Sequence, residues 1–141
     1  MAFRPYLTFA GTARQAFTRY QEIFGGELVV LGFSDAPADA GPPPPGVAKD
    51  AVMHAALMLG DSVLMGADDM GGNYKGTTDG ICVNVNLADP GEVKRVFDAL
   101  AEGGSVAQPV QETFFSPAFG ICTDRWGIAW MVMVEMPMPE G

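Results

Sequence analysis

The chain has 141 residues, 48% of them hydrophobic, with 17 acidic and 8 basic side chains and a formal net charge of −9. This length fits one domain that buries roughly two-thirds of its unfolded surface, and the apolar content excludes a disordered chain. The negative charge repels phosphate backbones, and no basic stripe with interleaved aromatic residues occurs, so nucleic acid is not an expected partner.

The sequence also indicates a protein that works away from membranes. No apolar run reaches the roughly 18 residues that a membrane-spanning helix needs. The first residues lack the basic segment and apolar block of a signal peptide. The two cysteines, Cys82 and Cys122, are too few for a disulfide framework. We therefore expect a cytoplasmic location.

The first predicted elements are a strand, a helix and a strand. Residues 5–9 alternate, which places Tyr6 and Thr8 on one face of a strand. Thr12 has the capping-box spacing and is predicted to cap a helix that ends at Gly25-Gly26. The apolar stripe of this helix is predicted to be Ala13, Phe17, Tyr20 and Phe24. Residues 27–33 form the next predicted strand.

A proline-rich segment, residues 36–48, separates this strand from the following pair. Its four consecutive prolines favour polyproline II and exclude a ladder strand. We interpret it as a mobile surface loop, and the alternatives are a lid over a pocket or an arm onto a partner subunit. Residues 50–59 and 62–67 are predicted strands, and alternation places His54 on the same face as Val52.

The pattern then repeats. Residues 81–87 alternate, with Ile81 and the valines facing a core and Cys82, Asn84 and Asn86 on the other face. Asp89 is predicted to cap a second helix, with Pro90 at its first position and Gly103-Gly104 at its end. Its stripe is predicted to be Val93, Val96, Phe97 and Leu100.

Three strands close the predicted second half. They cover residues 105–112, 119–123 and 128–134, and the last two form a hairpin. The turn at 124–127 needs a positive φ, which Gly127 can adopt. The continuous apolar run at 128–134 predicts a strand covered on both faces.

The two halves share a strand-helix-strand-strand-strand order. An offset of 78 residues carries Leu7 onto Val85 and Gly25-Gly26 onto Gly103-Gly104. An internal duplication explains this layout. We predict an α+β fold in which one domain contains two βαβββ modules, at about 1–70 and 78–141, with curved mixed sheets around a cleft.

The layout and several motifs resemble the vicinal oxygen chelate superfamily, which includes glyoxalase, bleomycin-resistance and dioxygenase folds. Within it, the chain is similar to the PhnB-like branch, which carries a demethylubiquinone methyltransferase label. The motifs that carry the resemblance are residues 5–9, 13–26, 52–55, 109–115, 123–127 and 130–132. The resemblance implies a cleft for a small molecule and a homodimer, which would also cover the sheet edges.

Metal-using members of the superfamily place His, Gln or Glu on the first and last strand of each module. The matching positions here are approximately Arg4, Leu64 or Met65, Cys82 and Met131. Arginine has no lone pair for a metal, leucine cannot ligate, and a thioether suits few metals. Only Cys82 is a credible ligand, whereas a catalytic Zn²⁺ site needs three protein ligands. The resemblance therefore implies that the metal is lost and that no cofactor is needed, with a divalent metal as the alternative. The methyltransferase label has no support, because no glycine-rich strand-to-helix loop for a nucleoside cofactor occurs.

The remaining candidate residues are polar or aromatic groups suited to a planar organic ligand. His54 and Glu112 are the candidates for acid-base catalysis, although a histidine among apolar neighbours is more often a hydrogen-bonded core residue. The candidate ligand-binding residues are Arg4, Tyr6, His54, Cys82, Asn84, Gln111, Phe114, Trp126 and Met131.

Two functions follow as hypotheses. The first is a metal-free binding protein with an apolar-aromatic pocket for a small organic ligand. The second is a lyase-, isomerase- or dioxygenase-type enzyme that uses a divalent metal or His54 and Glu112. A weaker third hypothesis is an interaction protein with an empty cleft.

Overall fold

Each half of the chain forms a four-stranded mixed sheet with one helix packed on it. The computed structural model describes residues 1–37, 39, 41–42, 45–48, 50–71, 74–76 and 79–135. They divide into two units, Met1–Gly76 and Thr77–Gly141. The first unit contains β1 (Tyr6–Phe9), α1 (Ala13–Phe24), β2 (Glu27–Gly32), β3 (Val52–Leu59) and β4 (Ser62–Asp68). The second contains β5 (Val83–Leu87), α2 (Pro90–Ala101), β6 (Ser105–Gln111), β7 (Phe119–Thr123) and β8 (Ala129–Val134).

The two sheets have the same topology. Their strand orders are β1-β4-β3-β2 and β5-β8-β7-β6. In each sheet the first strand runs parallel to the last one, while the other neighbours are antiparallel. The predicted α+β class with two βαβββ modules is therefore confirmed, and the shared topology is what an internal duplication would produce.

In the first unit, α1 covers one face of the sheet. Its buried residues are Ala13, Ala16, Phe17, Tyr20 and Ile23. Phe17 packs edge to face with Phe9 of β1 at a ring distance of 5.8 Å. Close packing continues at Gly66 of β4, where an added Cβ would lie 2.8 Å from the Phe17 ring. The predicted stripe is right except at its end, where Ile23 is buried and Phe24 is only half-buried.

The start of α1 differs from the prediction. Thr12 makes no side-chain capping hydrogen bond. Instead, buried Asp68 at the end of β4 accepts the Ala13 N–H at 2.9 Å with one oxygen and the Val52 N–H at 2.9 Å with the other. The predicted Thr12 cap is wrong because a carboxylate distant in sequence supplies the acceptor.

The face assignment within β3 also needs a correction. The pairing with β2 shifts register, because Leu31 pairs with His54 but Gly32 pairs with Val52. The extra residue, Met53, is exposed and forms a bulge. Val52 is consequently buried, while His54 is half-buried.

In the second unit, α2 begins as predicted. The Asp89 side chain accepts the Glu92 N–H at 2.9 Å, and Pro90 occupies the first turn. The predicted stripe of Val93, Val96, Phe97 and Leu100 is buried.

The strands of this unit depart from the prediction at two places. Strand β8 is not covered equally on both faces, because Met131 and Met133 are half-buried while Trp130 and Val132 are fully buried. Ile81, predicted to face a core, lies before β5 and is 73% exposed. Gly127 has the predicted positive φ, of 90°.

The described part of residues 36–48 contains no strand. The polyproline prediction falls in part on Pro43 and Pro44, which lie outside the described residues. None of the helices in the described ranges is long and apolar enough to cross a membrane.

Candidate functional site

The face of the first sheet turned away from α1 is the larger candidate surface, and we call it the first open face. Strand alternation and register place two aromatic residues and a set of small and thioether side chains on it. Its members are Tyr6, Thr8, Glu27, Val29, Leu31, His54, Ala56, Met58, Val63, Met65 and Ala67. All of them are exposed or half-buried, whereas the residues of the opposite face pack under the helix.

Two candidate residues meet on the first open face. The hydroxyl of Tyr6 lies 3.0 Å from Nδ1 of His54, and the ring centroids are 5.7 Å apart. Tyr6 is on β1 and His54 is on β3, so the two side chains reach each other across β4, over a span of roughly 10 Å between the backbones. The sequence predicted both residues, but only the strand order brings them together.

The corresponding face of the second sheet, which we call the second open face, is built differently. It carries Asn84, Asn86, Phe119, Ile121, Met131 and Met133. The Asn84 amide nitrogen lies 3.7 Å from both the Met131 and the Met133 sulfur atoms. The predicted pair of Asn84 and Met131 is therefore brought together, as a weak amide-to-thioether contact.

Other predicted site residues lie at the ends of strands. Arg4 and Cys82 are exposed just before β1 and β5, respectively. Gln111 ends β6 opposite Phe119, and Glu112 follows it in an exposed position. Phe114 is fully exposed in the β6–β7 loop, where it packs edge to face with Phe115.

Trp126 belongs to a turn that a buried carboxylate organises. Asp124 accepts the backbone N–H groups of Trp126 and Ile128 at 2.9 and 3.0 Å and the indole N–H of Trp130 at 2.9 Å. The Arg125 guanidinium lies 5.4 Å from the centre of the Trp126 ring. The Asp-Arg-Trp-Gly motif thus has a structural role in the β7–β8 hairpin.

Cys122 lies on β7, close to this carboxylate. Burial and, secondarily, the Asp124 charge raise the pKa of its thiol from 9.0 to about 11. A thiol held in the protonated state is a poor nucleophile. Cys122 therefore contributes to packing, and no bond to Cys82 forms, because both cysteines are free.

A cavity of about 510 Å³ lies in the first unit beside the start of α1. Arg14, Asp50 and Asp69 contribute charged groups to it, and residues 45–48 contribute small side chains. Asp68 also lines it, but both of its oxygens bind backbone N–H groups. None of the described lining residues is aromatic, so the first open face fits a planar apolar ligand better.

The strand positions that would hold a divalent metal carry side chains that do not fit one. Of the predicted positions, Arg4 and Cys82 lie just before β1 and β5, whereas Met65 and Met131 lie on β4 and β8. The strand residues that pair with these two methionines are Tyr6 and Asn84. Leu64 is buried on the helix side. A phenol, an amide and thioethers differ from the imidazole and carboxylate ligands of Zn²⁺, Mn²⁺ or Fe²⁺. Within the described ranges, no group of three or more His, Cys, Asp or Glu side chains could hold a metal ion.

Sequence reasoning missed the roles of the two buried carboxylates and two of the four methionines on the open faces. Asp68 and Asp124 each bind backbone N–H groups of distant or turn residues, which a linear pattern does not reveal. Met58 and Met133 follow from strand alternation once the helix-covered face is known. Strand alternation in the sequence groups these methionines with their neighbours on one face, but the sequence alone does not show which face of each sheet α1 or α2 covers.

Comparisons with known proteins bear on the whole chain. A family model described as 3-demethylubiquinone-9 3-methyltransferase matches residues 1–133. Protein YjdN from Escherichia coli (strain K12) is 33% identical over 146 residues, and the alignment covers 99% of each chain.

Solved structures agree with these matches. Protein PA1353 from Pseudomonas aeruginosa is 39% identical and has a TM-score of 0.85, with 97% of this chain and 99% of that chain covered. A glyoxalase/bleomycin resistance protein/dioxygenase family enzyme from Burkholderia phytofirmans PsJN has a TM-score of 0.63 at 14% identity, with coverage of 96% and 100%. The second likeness shows the fold alone.

Proposed function

The chain belongs to the family described as 3-demethylubiquinone-9 3-methyltransferase, within the glyoxalase/bleomycin resistance/dioxygenase superfamily, and on that premise we propose that it is a metal-free small-molecule-binding protein. Its ligand lies on the first open face. The observation that carries the proposal is a helix-free apolar sheet face with the hydrogen-bonded Tyr6 and His54 side chains on it.

The composition of this face supports a small organic ligand. Ligand sites are mostly apolar, with a few placed polar groups that fix the orientation of the ligand. Tyr6 and His54 supply the polar groups, and Met58 and Met65 supply flexible apolar contacts that adapt to ligand shape. The metal is left out of the proposal because, among the positions that the resemblance assigns to metal ligands, Cys82 is the one credible ligand, and a catalytic site needs three.

The methyltransferase activity in the family description is not part of this proposal. A nucleoside cofactor is typically held by a glycine-rich loop between a strand and a helix of a doubly wound sheet. The described sheets are mixed and four-stranded, with a single helix on each. Their topology gives no reason to expect that cofactor.

A ligand screen by thermal shift tests the proposal. A ligand at about 100 times its dissociation constant should add about 2.7 kcal/mol to the free energy of unfolding. We expect hits among neutral planar organic molecules, with the same affinity in the presence of EDTA.

Met65→Glu, which places a charge on the first open face, should abolish binding. The matched control Thr18→Glu, on the exposed side of α1, should leave it unchanged. Equal loss in both variants, or binding that EDTA removes, would contradict the proposal.

An enzymatic function is the second candidate, because the Tyr6–His54 pair could move a proton. It would make the chain a lyase- or isomerase-type enzyme with His54 as its base, whereas a dioxygenase-type reaction would require the divalent metal of the alternative hypothesis. Glu112, the other predicted acid-base residue, is exposed after β6. Turnover of a bound compound that His54→Ala abolishes, without loss of binding, would favour this candidate.

We further propose that the protein is a cytoplasmic homodimer. Free thiols at Cys82 and Cys122 suit a reducing compartment. Exposed apolar side chains outside the open faces, among them Phe3, Ile81 and Phe114, would gain from being covered. Light scattering should give twice the chain mass of 14.9 kDa, and a monomer at micromolar concentration would contradict the dimer.

A further inference from the structure

The hydrogen bond between Tyr6 and His54 determines which nitrogen of the imidazole carries the proton. The Tyr6 oxygen faces Nδ1 at 3.0 Å. A phenol is a stronger donor than a neutral imidazole N–H, and an imidazole nitrogen is a stronger acceptor than a phenol oxygen. Tyr6 is therefore the donor, and Nδ1 is the unprotonated nitrogen.

A neutral imidazole has a single N–H group, so Nδ1 as acceptor requires a proton on Nε2. In the part of the chain that the structure describes, the bond from Tyr6 is the one hydrogen bond of the His54 ring. The Nε2–H is thus left for solvent or for a ligand. Tyr6 cannot act as a donor to the ligand at the same time, because its only hydroxyl hydrogen is committed to Nδ1.

We infer that His54 binds the ligand through Nε2–H, so that the preferred ligand is a neutral apolar molecule with a hydrogen-bond acceptor such as a carbonyl oxygen. This inference rests on the proposed function and names its ligand class. The surrounding members of the first open face, including Val29, Ala56 and Met65, offer apolar contact to the rest of the molecule.

Charge supports a neutral ligand over an anionic one. The chain carries a formal net charge of −9, and such a field lowers the local concentration of anions. The exposed Glu27 at the start of β2 pairs with Met58, which places a carboxylate at one end of the sheet. A ketone, aldehyde or amide accepts the Nε2–H without bringing a second negative charge.

The tautomer can be measured without any ligand, because His54 is the only histidine of the chain. Protein labelled with ¹⁵N-histidine, purified without a histidine tag and kept in alkaline buffer, gives the spectrum of one neutral imidazole. We expect a proton on Nε2 and none on Nδ1 in long-range ¹H–¹⁵N spectra. Tyr6→Phe, at a half-exposed position that tolerates the change, should give a mixture of both tautomers. A proton on Nδ1 in the unsubstituted protein, or an unchanged spectrum in Tyr6→Phe, would overturn the inference.

The ligand class is tested with three probes of one carbon skeleton: acetophenone, 1-phenylethanol and ethylbenzene. Acetophenone has only an acceptor, 1-phenylethanol has a donor and an acceptor, and ethylbenzene has neither. We expect acetophenone to bind at least several-fold more tightly than ethylbenzene and to shift the Nε2 resonance. His54→Phe, which keeps an apolar ring without the donor, should remove the difference between the two probes.

Methyl resonances of Met58 and Met65 separate failure of this inference from failure of the proposed function. If ethylbenzene and acetophenone shift these methyls equally and neither shifts Nε2, the face binds ligands but the inference about His54 is wrong. If no probe shifts the methyls at millimolar concentration, the proposed ligand site itself is wrong, and the inference fails with it.

Discussion

At the scale of single residues, two buried carboxylates organise the turn at residues 124–127 and the start of α1. Asp124 binds three N–H groups at the β7–β8 turn, and Asp68 binds two from separate elements. A buried donor left without its acceptor costs roughly 1–3 kcal/mol. Both residues are therefore more important for stability than their short side chains suggest.

We expect Asp124→Ala to lower the free energy of unfolding by about 3 kcal/mol or more, because three N–H donors lose their acceptor. Asp124→Asn should lower the free energy of unfolding by less, because the amide oxygen of asparagine can still accept some of these N–H groups. Urea denaturation monitored by tryptophan fluorescence measures both. Asp98→Ala, on the exposed side of α2, is the control and should cost less than about 0.5 kcal/mol. An Asp124→Ala loss no larger than that of the control would show that the carboxylate is dispensable.

The two thiols should differ in reactivity. Exposed Cys82 should react with a thiol reagent in the native protein, whereas buried Cys122 should react only after unfolding.

Because the pKa of Cys122 is about 11 in the native state and its ordinary value is 9.0, the native state keeps a proton that the unfolded chain releases. The stability contribution is complete below pH 9 and is lost as the pH rises toward 11. Cys122→Ala should flatten this part of the stability curve, and an equal slope in both proteins would refute the assignment.

At the scale of elements, the two helices start by different devices. Asp89 caps α2 from the adjacent position, whereas Asp68 caps α1 from the far end of β4. The Asp68 carboxylate therefore connects α1 to the sheet in addition to accepting the first N–H group of the helix.

We predict that Thr12→Ala changes the free energy of unfolding by less than about 0.5 kcal/mol, although Thr12 occupies the position of a cap. Asp68→Ala should cost about 2–4 kcal/mol, because the Ala13 and Val52 N–H groups both lose their partner. Asp89→Ala should cost about 1 kcal/mol, as an ordinary cap does. Thermal or urea unfolding of the three variants gives the order, and a Thr12→Ala loss as large as that of Asp68→Ala would contradict the assignment.

Element order, both helices and the strand bounds to within two residues could be predicted from the sequence, because alternation and apolar stripes are local signals. What could not be predicted depends on the partner strand or on tertiary contacts. The bulge at Met53 arises only from the register with β2. The cap of α1 and the Tyr6–His54 bond join residues far apart in the chain. For the candidate site, residue types were therefore predictable and their pairing was not.

At the scale of the whole molecule, the chain has the fold of its family, and Met65 and Met131 stand on β4 and β8 where the resemblance implies metal ligands. We predict that protein purified without chelators contains far less than one divalent metal ion per chain, measured by elemental analysis. EDTA should leave both the thermal midpoint and probe binding unchanged. Stoichiometric metal, with loss of stability or binding on its removal, would overturn the metal-free part of the proposal.

The parallel pairing of β1 with β4 has a consequence for biosynthesis. Among the described strands of the first sheet, β1 has no neighbour other than β4, and the residue that holds the start of α1 is Asp68, the last residue of β4. While the ribosome is still translating the codons before residue 68, the nascent chain can form a hairpin and a helix, but the helix lacks its acceptor and β1 lacks its neighbour. Each half of this protein must therefore be almost completely synthesised before it can fold, and a nascent chain stalled within β4 would expose the apolar side of α1 to chaperones.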